Sequence, residues 1–356
     1  MPGAVWWVEG PDGVPRHGAC GHASLEPRRE PARLDTVYDL ASLTKMLATA
    51  PLLVALEQQG RLELEAPLGR YLKQFERSPW AGVSLISLAT HTSGLPAWRP
   101  LYLEGSTIDD YLRQIAGMRV AAEPGQALYS DLGFIALGAV IAAAADTDLP
   151  TLFRERIAAP LGRSTLGFAT GAGRRDAAPT ERGNAFEREL AGSAGAGHAW
   201  RETLLRGEVH DANAHGLGGA AGHAGLFGTA EDLATVAREL LRPGGLGLDD
   251  RARDRLLRVQ SGGRTVGMVS ARCSRAARGV LPDEAPGHVG FTGTSLWLDP
   301  ASGGFYALLT HRVHPQVGTR DFQLLRRGFH RLAALSPAGS GSVGGRDPQA
   351  RRPQSR

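Results

Sequence analysis

The sequence predicts an α/β (α+β) chain: one antiparallel sheet flanked by helices, with an all-helical lobe inserted between the two halves of the sheet. Three observations predict it. Short apolar runs bounded by turn residues open the chain, helical periodicity fills its middle, and strand-like runs return near the end before a closing amphipathic helix. A sheet drawn from both ends of a chain and covered by helices is one of the few layered architectures that bury one core. The chain has 356 residues, 42% of them hydrophobic, enough for a single large domain. We place that domain at residues 1–335, with a sheet lobe at about 1–66 and 215–335 and a helical and loop lobe at about 67–214.

The elements follow in order. Ala4 to Glu9 and Val14 to Gly21 are apolar runs separated by Pro11-Asp12-Gly13, a hairpin pattern. Leu43 to Gly60 carries Leu43, Met46, Leu47, Ala50, Leu53, Val54 and Leu56 close to helical spacing, with Gly60 as its stop. Pro51 lies inside this pattern and predicts a kink. Between Pro67 and about Leu166 the clearest helical pieces are Tyr111 to Met118, Gly133 to Ala145 and Leu149 to Ala159. Gly171 to Ala199 has no periodicity and reads as a long loop. Thr229-Ala230-Glu231-Asp232 is a capping box opening a helix to about Leu241. His288 to Trp297 and Gly304 to Arg312 read as two strands around Asp299-Pro300, and Arg320 to Leu335 as the closing helix.

Composition excludes several function classes. The formal net charge is +4, but much of it sits in residues 336–356, a Gly, Ser, Pro and Arg-rich stretch that reads as a disordered basic tail. No basic face for nucleic acid remains. No stretch is long and apolar enough to span a membrane, and the first residues show no signal-peptide pattern, so the expected location is cytoplasmic, or exported if the start lies upstream. Cys20 and Cys273 read as two buried thiols. His91, His210, Asp211, His215 and His223 fit no standard zinc spacing, so no metal and no cofactor is expected.

The chemistry concentrates at Ser42-Leu43-Thr44-Lys45, where the first strong helix begins. Residues three apart share a helix face, so the hydroxyl and the amine can meet. A helix start also offers free N–H groups and a positive dipole end to a developing oxyanion. Serine needs a neighbouring base to become a nucleophile, and lysine can lose a proton where arginine cannot. A lone Ser-x-x-Lys is also compatible with a capping serine and a solvated lysine. Against that, Lys45 and Lys73 are the only lysines among 40 Lys and Arg residues, and Lys45 lies in an apolar helix.

With its flank Tyr38-Asp39-Leu40-Ala41, this motif resembles the first motif of the serine β-lactamase-related family, which includes class C β-lactamases, DD-peptidases and esterase relatives. Tyr129-Ser130-Asp131 is similar to that family's Tyr-x-Asn triplet, and His288-Val289-Gly290 to its Lys-Thr-Gly or His-x-Gly motif on an inner strand. Thr90-His91-Thr92-Ser93-Gly94-Leu95-Pro96 and Gly222-His223-Ala224-Gly225-Leu226-Phe227 extend the likeness, which covers nearly everything from Ala4 to about Leu335. The resemblance implies a β-lactamase/DD-peptidase-like fold and an acyl-enzyme on Ser42. It implies Lys45 or Tyr129 as general base, a polar or cationic contact from His288, and an oxyanion hole from the N–H groups of Ser42 and Phe291, beside Gly290.

The chain departs from the family in three respects, the first of them shared by two residues. Asp131 replaces an Asn; an ionised Asp accepts hydrogen bonds but cannot donate to a substrate carbonyl, and it can hold Lys45 charged. His288 replaces the Lys that contacts the β-lactam carboxylate. No helix precedes the first strand, so either that helix is dispensed with or the start lies upstream, and Ala191 to Gly197 looks like extra loop. The expected partner is a small-molecule ester, amide or peptide substrate, with an esterase-like reaction foremost. The alternatives are a DD-peptidase or β-lactamase, and a non-catalytic penicillin-recognising module.

Overall fold

The structure is a computed structural model that describes residues 1–171, 173–174, 176–318 and 321–335. The expected tail at 336–356 lies outside the described residues. In chain order the strands are β1 (Gly3–Glu9), β2 (Pro15–Ser24), β3 (Glu30–Pro31), β4 (Tyr38–Asp39), β5 (Gly167–Phe168), β6 (Leu226–Gly228), β7 (Arg264–Thr265), β8 (Met268–Ser270), β9 (Pro286–Val289), β10 (Ser295–Asp299) and β11 (Gly304–Thr310). The helices are α1 (Ala50–Gln58), α2 (Leu85–Ala89), α3 (Ile108–Ala116), α4 (Asp131–Ala145), α5 (Leu149–Phe153), α6 (Ala185–Ala191), α7 (Ala212–Gly216), α8 (Ala230–Leu241), α9 (Asp250–Leu257) and α10 (Phe322–Leu335).

The main sheet runs β3-β2-β1-β11-β10-β9-β8-β7. The two ends of the chain meet at its centre, where β1 pairs antiparallel with β11, Ala4 opposite Thr310. The opening hairpin closes through Gly13, whose N–H donates to Gly10 O at 3.0 Å with φ 65°. Strand alternation sorts the sheet's side chains between two cores. Leu296, Leu298, Phe305, Ala307 and Leu309 join the large core with α1 and α8. Trp297 and Tyr306 face the other way, toward Phe329 and Ala333 of α10. Helix α4 is buried on nearly all sides, with Leu132, Phe134, Ile135, Leu137, Val140 and Ile141 inaccessible, and forms the centre of the helical region. Among the described residues, no single helix is long and apolar enough to cross a membrane.

Three local expectations are corrected, those for His288 to Trp297, for Gly171 to Ala199 and for the two cysteines. The run His288 to Trp297 is two strands, β9 and β10, because the chain turns at Gly290 to Thr294, with Gly293 at φ 129°. The stretch Gly171 to Ala199 contains α6, whose buried face is Glu187 and Ala191; tertiary contacts rather than apolar periodicity hold it. Ahead of Pro51 the helix is a π-helical turn over Lys45–Thr49. Pro51 has no N–H to continue the ladder, and it sits in the first turn of α1. Cys20 and Cys273 are free and exposed rather than buried: Cys20 lies on the solvent face of β2, and Cys273 in a short surface turn after β8.

Candidate active site

The segment before Ser42 is locked from both sides. Leu40 N–H donates to Leu226 O at 2.9 Å, and the buried Asp39 carboxylate accepts from Ala41 N–H and His210 N–H, each at 2.8 Å. Ala41 is held at φ 47°, a left-handed conformation that a non-glycine residue adopts at a cost. It turns the chain sharply into the helix that starts at Leu43. Thr44 Oγ1 donates to Ala41 O at 2.7 Å and accepts from Leu226 N–H at 3.1 Å, tying this turn to β6.

The fully buried Lys45 ammonium has three acceptors. It donates to Ser42 Oγ at 3.0 Å, Asp131 Oδ1 at 2.7 Å and His223 O at 3.1 Å. Burial pulls its pKa down, but the Asp131 charge and Tyr129 outweigh that, and the net shift is above the ordinary lysine value. Lys45 is therefore an ammonium at neutral pH.

Tyr129 and Asp131 flank Ser130, which starts α4. Ser130 Oγ accepts from Gly133 N–H at 3.2 Å and donates to Pro96 O at 2.6 Å. Tyr129 Oη lies 3.0 Å from Ser42 Oγ. Burial, then the Asp131 charge, push its pKa up to about 12 against the opposing pull of Lys45, so it is a phenol in the resting site. His91 supports that ring: the two rings lie tilted against each other with centroids 4.5 Å apart, and His91 Nδ1 accepts Ser130 N–H at 2.9 Å.

The end of β9 completes a cavity of about 460 Å³ that contains Ser42, Tyr129, Asp131, His288, Gly290 and Phe291. All seven residues named from the sequence thus converge, six lining the cavity and Lys45 bonded beneath it. Gly290 is required by proximity: a Cβ there would stand 2.0 Å from Thr294 Oγ1 and 2.6 Å from Leu40 O. Neither Ser42 N–H nor Phe291 N–H is taken by a protein acceptor among the described residues. Of the polar or cationic contact expected from His288, the structure leaves the polar form. Burial, then Lys45, pull its pKa down to about 3, so it is neutral, with Nδ1 2.9 Å from Val289 O.

Among the described residues, the histidines and aspartate weighed as metal ligands form no group of three that could hold a metal ion. His223 pairs with Asp211 at 2.8 Å and His210 with Glu181 at 2.9 Å, while His91 serves Tyr129. Sequence reasoning missed four contributors: His91 as the support of Tyr129, the His223 carbonyl under Lys45, and Arg312 and Arg326 at the cavity wall. Backbone carbonyls and long-range contacts leave no local pattern to read. Chemically, the set can deliver a serine oxygen to a carbonyl, move its proton through a phenol beside a fixed ammonium, and offer two free N–H groups to an oxyanion.

Comparison with known proteins places this chain among relatives. The model of the family described as Beta-lactamase matches residues 1–328. The chain is 29% identical over 353 residues to the N-acetylmuramyl-L-alanine amidase of Bacillus subtilis, covering 89% of this chain and 78% of that protein. Two solved structures share the fold. One is the β-lactamase/D-alanine carboxypeptidase from Pseudomonas syringae, with TM-score 0.70, 15% identity and 95% of each chain covered. The other is EstCE1, a hydrolase with promiscuous acyltransferase activity, with TM-score 0.68, 22% identity and 94% of each chain covered.

Proposed function

The chain belongs to the Beta-lactamase family of serine hydrolases, and we propose that it hydrolyses an ester through an acyl-enzyme on Ser42. The observation that carries this reading is Ser42 Oγ held at 3.0 Å from both Lys45 Nζ and Tyr129 Oη. Ser42 Oγ attacks the substrate carbonyl. Its proton passes to Tyr129 Oη while the Tyr129 proton passes to the leaving oxygen, so no resting phenolate is needed. Lys45 stays an ammonium and stabilises charge on the phenol oxygen during this transfer. The N–H groups of Ser42 and Phe291 receive the carbonyl oxygen as it becomes an oxyanion. Water then repeats the sequence on the acyl-enzyme.

Asp131 and His288 support an ester over a β-lactam or peptide. Asp131 spends its carboxylate on Lys45 and cannot donate to a substrate amide carbonyl. The neutral His288 offers no charge to a substrate carboxylate. The second reading, hydrolysis of a peptide-type amide, is favoured by the name of the Bacillus subtilis relative, which aligns with 89% of the chain.

The test is turnover of a p-nitrophenyl ester and of a muramyl-L-alanine amide by the wild type and by Ser42→Ala. The expected result is ester hydrolysis that falls to the buffer background in Ser42→Ala at unchanged melting temperature. Faster turnover of the amide selects the second reading, and retained turnover in Ser42→Ala overturns both.

A further inference from the structure

We propose that Arg326, on the closing helix, is a positioning residue for the oxyanion hole: its guanidinium polarises the Gly290–Phe291 peptide whose N–H is one of the two oxyanion donors. The inference rests on the Ser42 acyl-enzyme reading above.

Arg326 is 2% exposed and has no carboxylate partner among the described residues. One terminal nitrogen donates to Gly290 O and to Thr294 O, the latter at 2.9 Å. The other donates to Gln323 Oε1 at 3.2 Å, and the buried Nε has no acceptor. A buried cation without a counter-charge is costly, and an apolar residue would dock the helix without that cost. What Arg326 adds is charge, and it directs that charge at one turn.

That turn carries Phe291. The Gly290 carbonyl and the Phe291 N–H belong to the same peptide unit, so a charged donor on the carbonyl oxygen withdraws electron density from the amide and strengthens its N–H as a donor. The next peptide is held the same way: Arg312 Nε donates to Phe291 O at 2.7 Å, with the guanidinium 4.3 Å over the Phe291 ring. On the nucleophile side, Thr292 Oγ1 donates to Asp39 O at 2.8 Å and Thr294 Oγ1 to Leu40 O at 3.0 Å. The turn is therefore fixed to the segment leading into Ser42, and Arg326 acts on a donor that cannot swing away.

Negative charge gathers on the substrate oxygen in the transition state and not in the bound ester. Interactions that respond to that charge alter kcat rather than KM. The experiment compares full-length wild type, Arg326→Lys and Arg326→Gln on a p-nitrophenyl ester, with Ser42→Ala alongside. It also measures the affinity of an alkylboronic acid, which forms a tetrahedral adduct on serine, and of the neutral alcohol product. Removal of a whole oxyanion donor lowers kcat by about 10²–10³-fold. For loss of its polarisation we expect about a tenfold fall in Arg326→Gln and a smaller one in Arg326→Lys, which keeps the charge. KM and alcohol affinity stay within about twofold, and boronate affinity falls in parallel with kcat.

Folded Arg326 variants that match the wild type in kcat and boronate affinity, beside an inactive Ser42→Ala, overturn the role of Arg326 and leave the Ser42 reading standing. An active Ser42→Ala overturns the Ser42 reading itself. If KM rises together with a lowered melting temperature, or if both Arg326 variants fail to fold, Arg326 only anchors the helix and the proposal is overturned.

Discussion

At the scale of single residues, Asp131 governs the protonation of the site. It bonds Lys45 at 2.7 Å, raises the ammonium pKa, and also raises that of Tyr129 by facing the would-be phenolate. Both effects have one sign, so Asp131→Asn lowers both pKa values. An opposite charge this close shifts a pKa by about 1–3 units. The alkaline change in kcat/KM on an ester is therefore expected to move down by about one pH unit or more in Asp131→Asn. The Asn amide can also donate to a carbonyl, so acylation by a fluorescent penicillin should rise. A pH–rate profile from pH 6 to 11 checks the first point, and a profile identical to the wild type's contradicts it. Lys45 itself tolerates no simple exchange, since an arginine fork has no room in a site with no exposed surface.

At the scale of elements, legibility followed the range of the interaction that forms each one. The first hairpin announces itself through Pro11-Asp12-Gly13, and α8 through its capping box, in which Thr229 N–H donates to Asp232 Oδ2 at 2.8 Å and Asp232 N–H to Thr229 Oγ1 at 3.2 Å. Helix α4 is apolar enough to be read from composition alone. Elements made by distant contacts were not legible. Helix α6 is held through Glu187, whose Oε1 accepts Ala212 N–H at 2.8 Å, a bond no local window contains. The turn that divides β9 from β10 is set by the close approach of Gly290 to Leu40 O. The same division runs through the site. Ser42, Lys45, Tyr129, Asp131, His288, Gly290 and Phe291 stand in short motifs with chemical meaning, whereas Arg312 and Arg326 reach backbone carbonyls from elements near the end of the chain.

At the scale of the whole molecule, the fold buries several histidines in their neutral form. Burial holds His91 well below its ordinary range and brings His288 and His330 to about 3 and His311 to about 4. Their folded values lie below an unfolded value near 6.5. As pH falls through that value, the unfolded chain takes up protons that the folded chain refuses, and stability is lost. Between pH 7 and pH 5 His288, His330 and His311 each contribute a loss of about 2 kcal/mol, and His91 a loss of the same sign, against a total stability on the order of 5–15 kcal/mol. Asp39 and Glu187, raised by burial, oppose the trend, while His215 and His314, also lowered by burial, add to it. Guanidinium unfolding should give a lower midpoint at pH 5 than at pH 7, and an equal or higher one at pH 5 contradicts this.

The sheet, the helical region and the closing helix all converge on one oxygen atom, Ser42 Oγ, and the reactivity of that atom is the central claim. Its most direct measurement is the intact mass of the protein after exposure to a fluorophosphonate, with peptide mapping of any adduct. One adduct per chain, located on Ser42 and absent from Ser42→Ala, is the predicted result. An unmodified protein, or an adduct on any other residue, contradicts the account.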